Sequence, residues 1–147
     1  MDIIIRDAQP HDYMAIQMLI ENELGYANQD RSKLCDRLER MKADERYMTI
    51  VAEIEGKIAG FIGLHKGISY NHEGEDIQII ALAVIADLQN KGIGSRLLKW
   101  AEEYSINNNV QLLTLTSRFH REDAHAFYEH NGYVRTSFAF KKYLKEH

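Results

Sequence analysis

The sequence predicts a mixed α/β fold in one domain, a sheet with helices packed on it. Three observations carry this reading. The 147 residues match a single domain of ordinary size. A chain that is 45% hydrophobic and 27% charged has the composition of a folded globular protein, not a disordered one. Short β-branched or continuous apolar runs alternate along it with segments whose apolar residues recur every three or four positions.

Ile3 to Arg6 is a short β-branched strand. Pro10 and Asp12 open a helix that runs to about Leu24, with Ile16, Leu19, Ile20 and Leu24 on one face. Asp30 to Met41 is a second, heavily charged helix whose apolar stripe is Leu34, Leu38 and Met41. Met48–Ile54 and Lys57–His65 read as a hairpin around Glu55-Gly56. Alternation along its second strand sets Ile58, Gly60, Ile62 and Leu64 on one face, and Ala59, Phe61, Gly63 and His65 on the other. Lys66 to Glu75 is a polar loop. Asp76 to Ile85 is the most buried strand, because its apolar residues barely alternate. Gly92 to about Ile106 is an amphipathic helix with Ile93, Leu97, Leu98, Ala101 and Tyr104 inward. Val110 to Thr116 is a strand, and Asp123 to His130 a short helix ended by Asn131-Gly132. Tyr133 to Tyr143 supplies one or two closing strands.

Composition also narrows the function. One cysteine, Cys35, excludes an internal disulfide and a cysteine-rich zinc site. The longest apolar run, Ile79 to Ala86, is eight residues, against the ~20 that a membrane-spanning helix needs. The start, MDIIIRD, shows no signal peptide, and a cytoplasmic location is expected. A net charge of −4 without a Lys/Arg cluster argues against nucleic acid as a partner. It leaves room for a small phosphorylated ligand held by backbone amides.

The chemistry points to Leu82-Ala83-Val84-Ile85-Ala86-Asp87-Leu88-Gln89-Asn90-Lys91-Gly92-Ile93-Gly94-Ser95. A buried strand runs into a loop with two glycines two apart, and a long helix begins at once. The first turn of a helix has unpartnered N–H groups and partial positive charge. Glycines leave those groups bare and allow close approach, which suits a phosphate or pyrophosphate. A tight turn that needs glycine for steric reasons is the alternative. The dinucleotide fingerprint fails, because Leu97 stands where its third glycine belongs and Thr116-Ser117 where its acid belongs. No segment fits a P-loop.

What fits is Gln-x-x-Gly-x-Gly, read as Gln89, Gly92 and Gly94 after Leu82-Ala83-Val84. With it the sequence resembles the GNAT superfamily of acetyl-CoA-dependent N-acetyltransferases. A second landmark agrees: Ala124-His125-Ala126-Phe127-Tyr128-Glu129-His130-Asn131-Gly132-Tyr133 is similar to the family's Ala-x-x-Phe-Tyr-Glu-x-x-Gly-Phe/Tyr segment. Ile5-Arg6-Asp7-Ala8 through Asp12 resembles its first strand and helix start. The resemblance implies a mixed, mostly antiparallel central sheet of six to seven strands flanked by about four helices. It implies acetyl-CoA as cosubstrate, no metal, and a primary amine of a small molecule or peptide as acceptor. Homodimerisation is left open, and no membrane partner is expected.

Carried over by position, the resemblance gives the CoA pyrophosphate to the amides of Gln89, Asn90, Lys91, Gly92, Ile93 and Gly94, with a hydroxyl from Ser95. Lys91 either adds charge or is a solvated loop lysine. The pantetheine arm would pair with the backbones of Leu82 and Val84, and an amide around Val84 would serve the oxyanion. Tyr128 would protonate the leaving thiolate; its alternative is a core aromatic beside Phe127. Two positions depart from the family. Arg121 stands where many members have a cofactor-holding Asn, and Ile80 where many have a glutamate base. His65, at the end of its strand, is the candidate replacement, because imidazole suits proton transfer near neutrality. Its alternative is packing or capping the loop.

His120, His125 and His130 recur every five residues, whereas helical metal pairs prefer three or four; surface or packing roles are expected. Cys35 and Trp100 read as structural, and the Lys141–Lys145 tail as a solvated strand end. The acceptor side is expected from the first two helices and the Lys66–Glu75 loop. There Glu21, Glu23, Glu73, Glu75 and Asp76 would favour a cationic amine or simply be solvated. Two rival functions stand beside acetyl transfer: a non-catalytic acyl-CoA-binding regulatory module on the same fold, and a nucleotide-binding protein.

Overall fold

A computed structural model describes residues 1–145. It orders the elements as β1 (Ile3–Asp7), α1 (Tyr13–Asn22), α2 (Arg31–Lys42), β2 (Tyr47–Ile54), β3 (Lys57–Ile68), β4 (Glu75–Val84), α3 (Ile93–Asn107), β5 (Val110–Thr114) and α4 (Glu122–His130). Single 3₁₀ turns fill Pro10–Asp12 and Ala86–Leu88. The chain divides into two compact units, the first spanning Met1–Leu115 and the second beginning at Thr116.

The first unit holds one sheet in the order β1-β2-β3-β4-β5. The pairs β1–β2, β2–β3 and β3–β4 are antiparallel, and β4–β5 is parallel. The β2–β3 hairpin turns on Glu55 and Gly56, both left-handed at φ 52° and 79°, as a two-residue turn requires. Helices α1 and α2 cover one face, where Ile16, Leu19, Leu34 and Leu38 pack on Val51, Phe61 and Ala83. Alternation turns Ile50, Ile62, Leu64 and Ile77, all fully buried, to the opposite face. There α3 contributes Ile93, Leu97, Leu98 and Ala101. Each such Leu or Ile is worth roughly 1.5–3 kcal/mol of burial.

Local chemistry sets the helix starts. Asp30 caps α2, accepting from the Lys33 amide at 3.1 Å. The expected start of the first helix at Pro10 is instead the 3₁₀ turn, which places Asp12 inward. Asp12, 3% exposed, accepts from Arg6 Nη1 at 2.7 Å, Arg6 Nη2 at 3.0 Å and the Gln9 amide at 2.8 Å. Arg6 also donates to Glu53 on β2 at 2.9 Å. Burial pushes the Asp12 carboxyl up, but the Arg6 guanidinium and the Gln9 N–H outweigh it and hold the pKa below the usual carboxylate value.

Two bulges bend the sheet. Ala52 and Glu53 pair with Gly60 and Ile58, so Ala59 is an extra residue on β3. The bulge shifts alternation by one, and Ile58 joins the α1–α2 face with Phe61, not the face of Ile62 and Leu64 as the pattern predicts. Next to it, a Cβ on Gly60 would stand 2.7 Å from the Ala83 carbonyl oxygen, so that position needs glycine. On β4, Gly63 pairs with Ala81 but Leu64 with Ile79, which leaves Ile80 as the extra residue.

The sheet has five strands among the described residues, not six to seven. Tyr133–Tyr143 forms no ladder. Val134, Phe138 and Phe140 alternate as a strand would, yet stand 79%, 73% and 95% exposed. Phe138 packs its ring 6.0 Å from that of Phe119 instead. Alternation provides a face for a strand, but a strand also needs a paired edge.

Candidate functional site

The site grows from the end of β4. The β4–β5 ladder stops at Gln78. Beyond it the β5 side of residues 79–84 carries no strand among the described residues. The Ile85 amide donates to the Ala59 carbonyl at 2.8 Å, toward β3. By strand alternation Val84 and Leu82 therefore turn their N–H and C=O groups to the open edge. An extended ligand can pair there as an added strand.

The loop that follows is held by one side chain. Gln89 Nε2 donates to the Val84 carbonyl at 3.0 Å and to Glu23 Oε1, just past α1, at 3.1 Å. Asn90 and Gly92 are left-handed, at φ 63° and 85°. Gly92 is the N-cap of α3 and supplies no capping side chain. Arg96 is the first residue to donate back, to the Gly92 carbonyl at 3.0 Å. Among the described residues nothing accepts from the amides of Ile93, Gly94 and Ser95. Bare amides at a helix start after left-handed residues form an anion cradle. Asn90, Lys91 and Gly92 are exposed, Gly94 and Ser95 half-buried, and Ile93 is buried in the core.

A cleft of about 360 Å³ opens on the α1–α2 face of the sheet. The β4 bulge turns both Ile80 and Ala81 into it, opposite Leu24, Leu34 and Leu38. Its polar side chains are Tyr26, Gln29, Arg37, Tyr47 and Thr49. Both α1 and α2 contribute to the lining, whereas the Lys66–Glu75 loop supplies none of it, and neither Glu21 nor Glu23 reaches it. Asp76 pairs with His72 at 2.9 Å instead. His65 lies two residues beyond Gly63 on the cleft face of β3. Its ring sits 4.6 Å from that of Tyr47, a cleft residue.

Tyr128 lies on α4 in the second unit. It is half-buried, with its ring edge-on to Phe127 at 5.4 Å and to Tyr133 at 6.1 Å. Burial pushes its phenol up, and the Arg121 charge only partly offsets this. The hydroxyl therefore keeps its proton at neutral pH. After α4, Gly132 takes the left-handed conformation at φ 90°. No group of three or more His, Cys, Asp or Glu side chains that could hold a metal forms among the described residues. Trp100 stacks on Tyr104 at 5.6 Å. No described helix is long and apolar enough to cross a membrane.

The acetyltransferase (GNAT) family model matches residues 13–133. The chain belongs to the GNAT family. An aminoalkylphosphonate N-acetyltransferase of Salmonella typhimurium is 32% identical over 132 residues, covering 90% of this chain and 82% of that protein. A GNAT family acetyltransferase of Staphylococcus aureus superimposes with a TM-score of 0.81 at 29% identity, over 98% of this chain and all of that one. An aminoglycoside N-acetyltransferase in complex with CoA shares the fold, with a TM-score of 0.84 at 10% identity over 97% of this chain and 94% of that one.

In this GNAT chain three contributions escape sequence reasoning. The side chain of Gln89 ties the loop to α1. Tyr47 joins the cleft wall beside His65. Arg37 reaches the cleft from α2, and this one had a signal: it stands three residues after Leu34 and four before Met41, at the margin of the apolar stripe.

Proposed function

We propose that this protein transfers the acetyl group of acetyl-CoA to a primary amine by direct attack through a tetrahedral intermediate. One observation carries the reading: the open edge of β4 runs into the bare amides that start α3, beside a cleft walled by the same strand. The cradle suits a pyrophosphate at Gln89–Ser95, and the edge suits a pantetheine arm at Leu82 and Val84. A cleft of about 360 Å³ is the size of a small-molecule site. The aminoalkylphosphonate relative, whose name joins an amine to a small molecule, supports a small acceptor over a peptide.

In this reading the amine lone pair forms the C–N bond and the C–S bond breaks. A backbone amide near Val84 steadies the oxyanion, and Tyr128 gives its proton to the departing thiolate. His65 takes the amine proton, directly or through one water. A second reading, a non-catalytic acyl-CoA-binding module, is favoured by one fact: among the described residues no carboxylate or imidazole lines the cleft, and Ile80 stands in it.

Thiol release from acetyl-CoA over a panel of amines tests the proposal, with Gly94→Glu as control. Turnover in the wild type, with CoA affinity lowered at least tenfold in folded Gly94→Glu, is the expected result. CoA binding without turnover of any amine supports the module. Binding of ATP or NAD but not CoA returns the nucleotide reading.

A further inference from the structure

Among the described residues Arg37 is the one charged side chain that lines the cleft. It is exposed at the rim, but it is not left to solvent. Its Nη2 donates to Gln29 Oε1 at 3.0 Å, and among the described residues no carboxylate pairs with it. Nε and Nη1 have no partner there either. Gln29 is itself tied at every polar function. Its amide N–H donates to Glu21 Oε2 at 3.0 Å, and its carbonyl accepts from Gln17 Nε2 at 3.2 Å. Its side-chain Nε2 donates to the Tyr26 carbonyl at 3.1 Å. Residues from α1, the connecting loop and α2 thus converge to hold one guanidinium with donors to spare.

The rest of the wall decides what those donors read. The other lining side chains are neutral and mostly apolar. An apolar wall raises the field of a nearby charge relative to open water. A guanidinium with two free nitrogens presents the planar fork that matches an oxyanion. The same charge repels a second ammonium. Arg37 comes from α2, while Ile80 and Ala81 come from β4, whose open edge is where acetyl transfer is placed. One acceptor can therefore span the cleft with its amine at β4 and its far end at α2.

Resting on the acetyltransferase reading, we propose that Arg37, positioned by Gln29, is an acceptor-binding residue that selects short primary amines carrying a compact oxyanion at the far end. Of the two sequence readings of Glu21, Glu23, Glu73, Glu75 and Asp76, this one goes with solvated carboxylates and not with a cationic acceptor.

The test compares kcat/KM for 2-aminoethylphosphonate, 3-aminopropanoate, 3-amino-1-propanol and 1,4-diaminobutane in wild type, Arg37→Gln, Arg37→Lys and Gln29→Ala. At least one oxyanion amine should exceed the neutral and dicationic amines by tenfold or more. The phosphonate and carboxylate arms identify which oxyanion fits. That ratio should fall at least tenfold in Arg37→Gln, through KM more than kcat, and recover in part in Arg37→Lys. Gln29→Ala should lie between. Equal use of neutral and anionic amines by the wild type, or an unchanged ratio in Arg37→Gln, overturns the proposal. Calorimetric binding of the preferred oxyanion amine to the CoA-loaded protein gives a readout independent of turnover. If no amine turns over, the acetyltransferase reading fails, and binding decides alone. Wild-type binding that Arg37→Gln weakens at least tenfold upholds Arg37 as the anchor; absent or unaltered binding refutes it.

Discussion

Replacing Gln89 with Glu keeps the size of the side chain and reverses its hydrogen-bonding sense. The amide Nε2 now donates to Glu23 Oε1 at 3.1 Å and to the Val84 carbonyl at 3.0 Å. In the Glu variant an oxygen would face both acceptors. The two lost hydrogen bonds are worth roughly 0.5–1.5 kcal/mol each. The new carboxylate–carboxylate contact adds about 1 kcal/mol, the low end of the Coulomb range, because the loop is exposed. The side chain can swing away to relieve the repulsion, which leaves the loop without its tie to α1 and to the end of β4. If the loop amides hold the CoA pyrophosphate, the dissociation constant for CoA should rise about ten- to hundredfold, or ~1.4–2.8 kcal/mol. Gln89→Ala loses the bonds without the repulsion and should show about a three- to tenfold rise. Titration calorimetry measures both, with circular dichroism to verify folding, and added salt should narrow the gap between the variants. An affinity for CoA in folded Gln89→Glu within a factor of two of wild type would refute the reasoning. The bridge would then be irrelevant to the cradle.

Tyr128→Phe should keep CoA affinity and lower turnover by up to ~10²–10⁴-fold, less if thiolate departure is not rate-limiting; single-turnover kinetics at fixed acceptor read this directly. If His65 accepts the amine proton, His65→Ala should lower kcat/KM by at least about tenfold while CoA affinity holds, and an unchanged kcat/KM assigns the proton to another group. Asp12→Asn should lower stability at neutral pH by about 2–4 kcal/mol, or about 6–12 °C in Tm. The Asp12 carboxyl titrates lower in the folded state than in the unfolded one. Its stabilisation is therefore present above about pH 4 and disappears as the pH falls through the lowered folded value. The gap between wild type and Asp12→Asn should close in acid melts.

The sheet strands, the helices and the glycine loop were legible because each has a local signature. Hydrophobic period identified α3, and Asp30 marked the start of α2. What escaped depends on pairing between distant segments. The extra residues Ala59 and Ile80 have no compositional mark, yet each moves the alternation by one and exchanges the faces beyond it. The Tyr133–Tyr143 segment has the side-chain pattern of a strand without a paired edge. In the site, Gln89 was expected for its backbone, while its side chain binds a glutamate 66 positions away. Arg37 depends on Gln29, which in turn depends on Gln17, Glu21 and Tyr26. Charge counts along the chain left the acidic residues either on the cleft wall or in solvent, and only three-dimensional placement shows which charges face the cavity.

The bulge at Ile80 exchanges which positions of β4 face each of the two cores. Before it, Ile77 and Ile79 turn into the layer beneath α3; after it, Ala81 and Ala83 turn toward α1 and α2. Substitutions that reshape the cleft wall at Ile80 or Ala81 therefore leave the layer beneath α3 largely undisturbed, because sites without shared neighbours add nearly independently. The strand can vary these two cleft-facing side chains through mutation while its first half continues to anchor the sheet. One inserted residue thus sets two successive side chains of one strand on the same cavity wall.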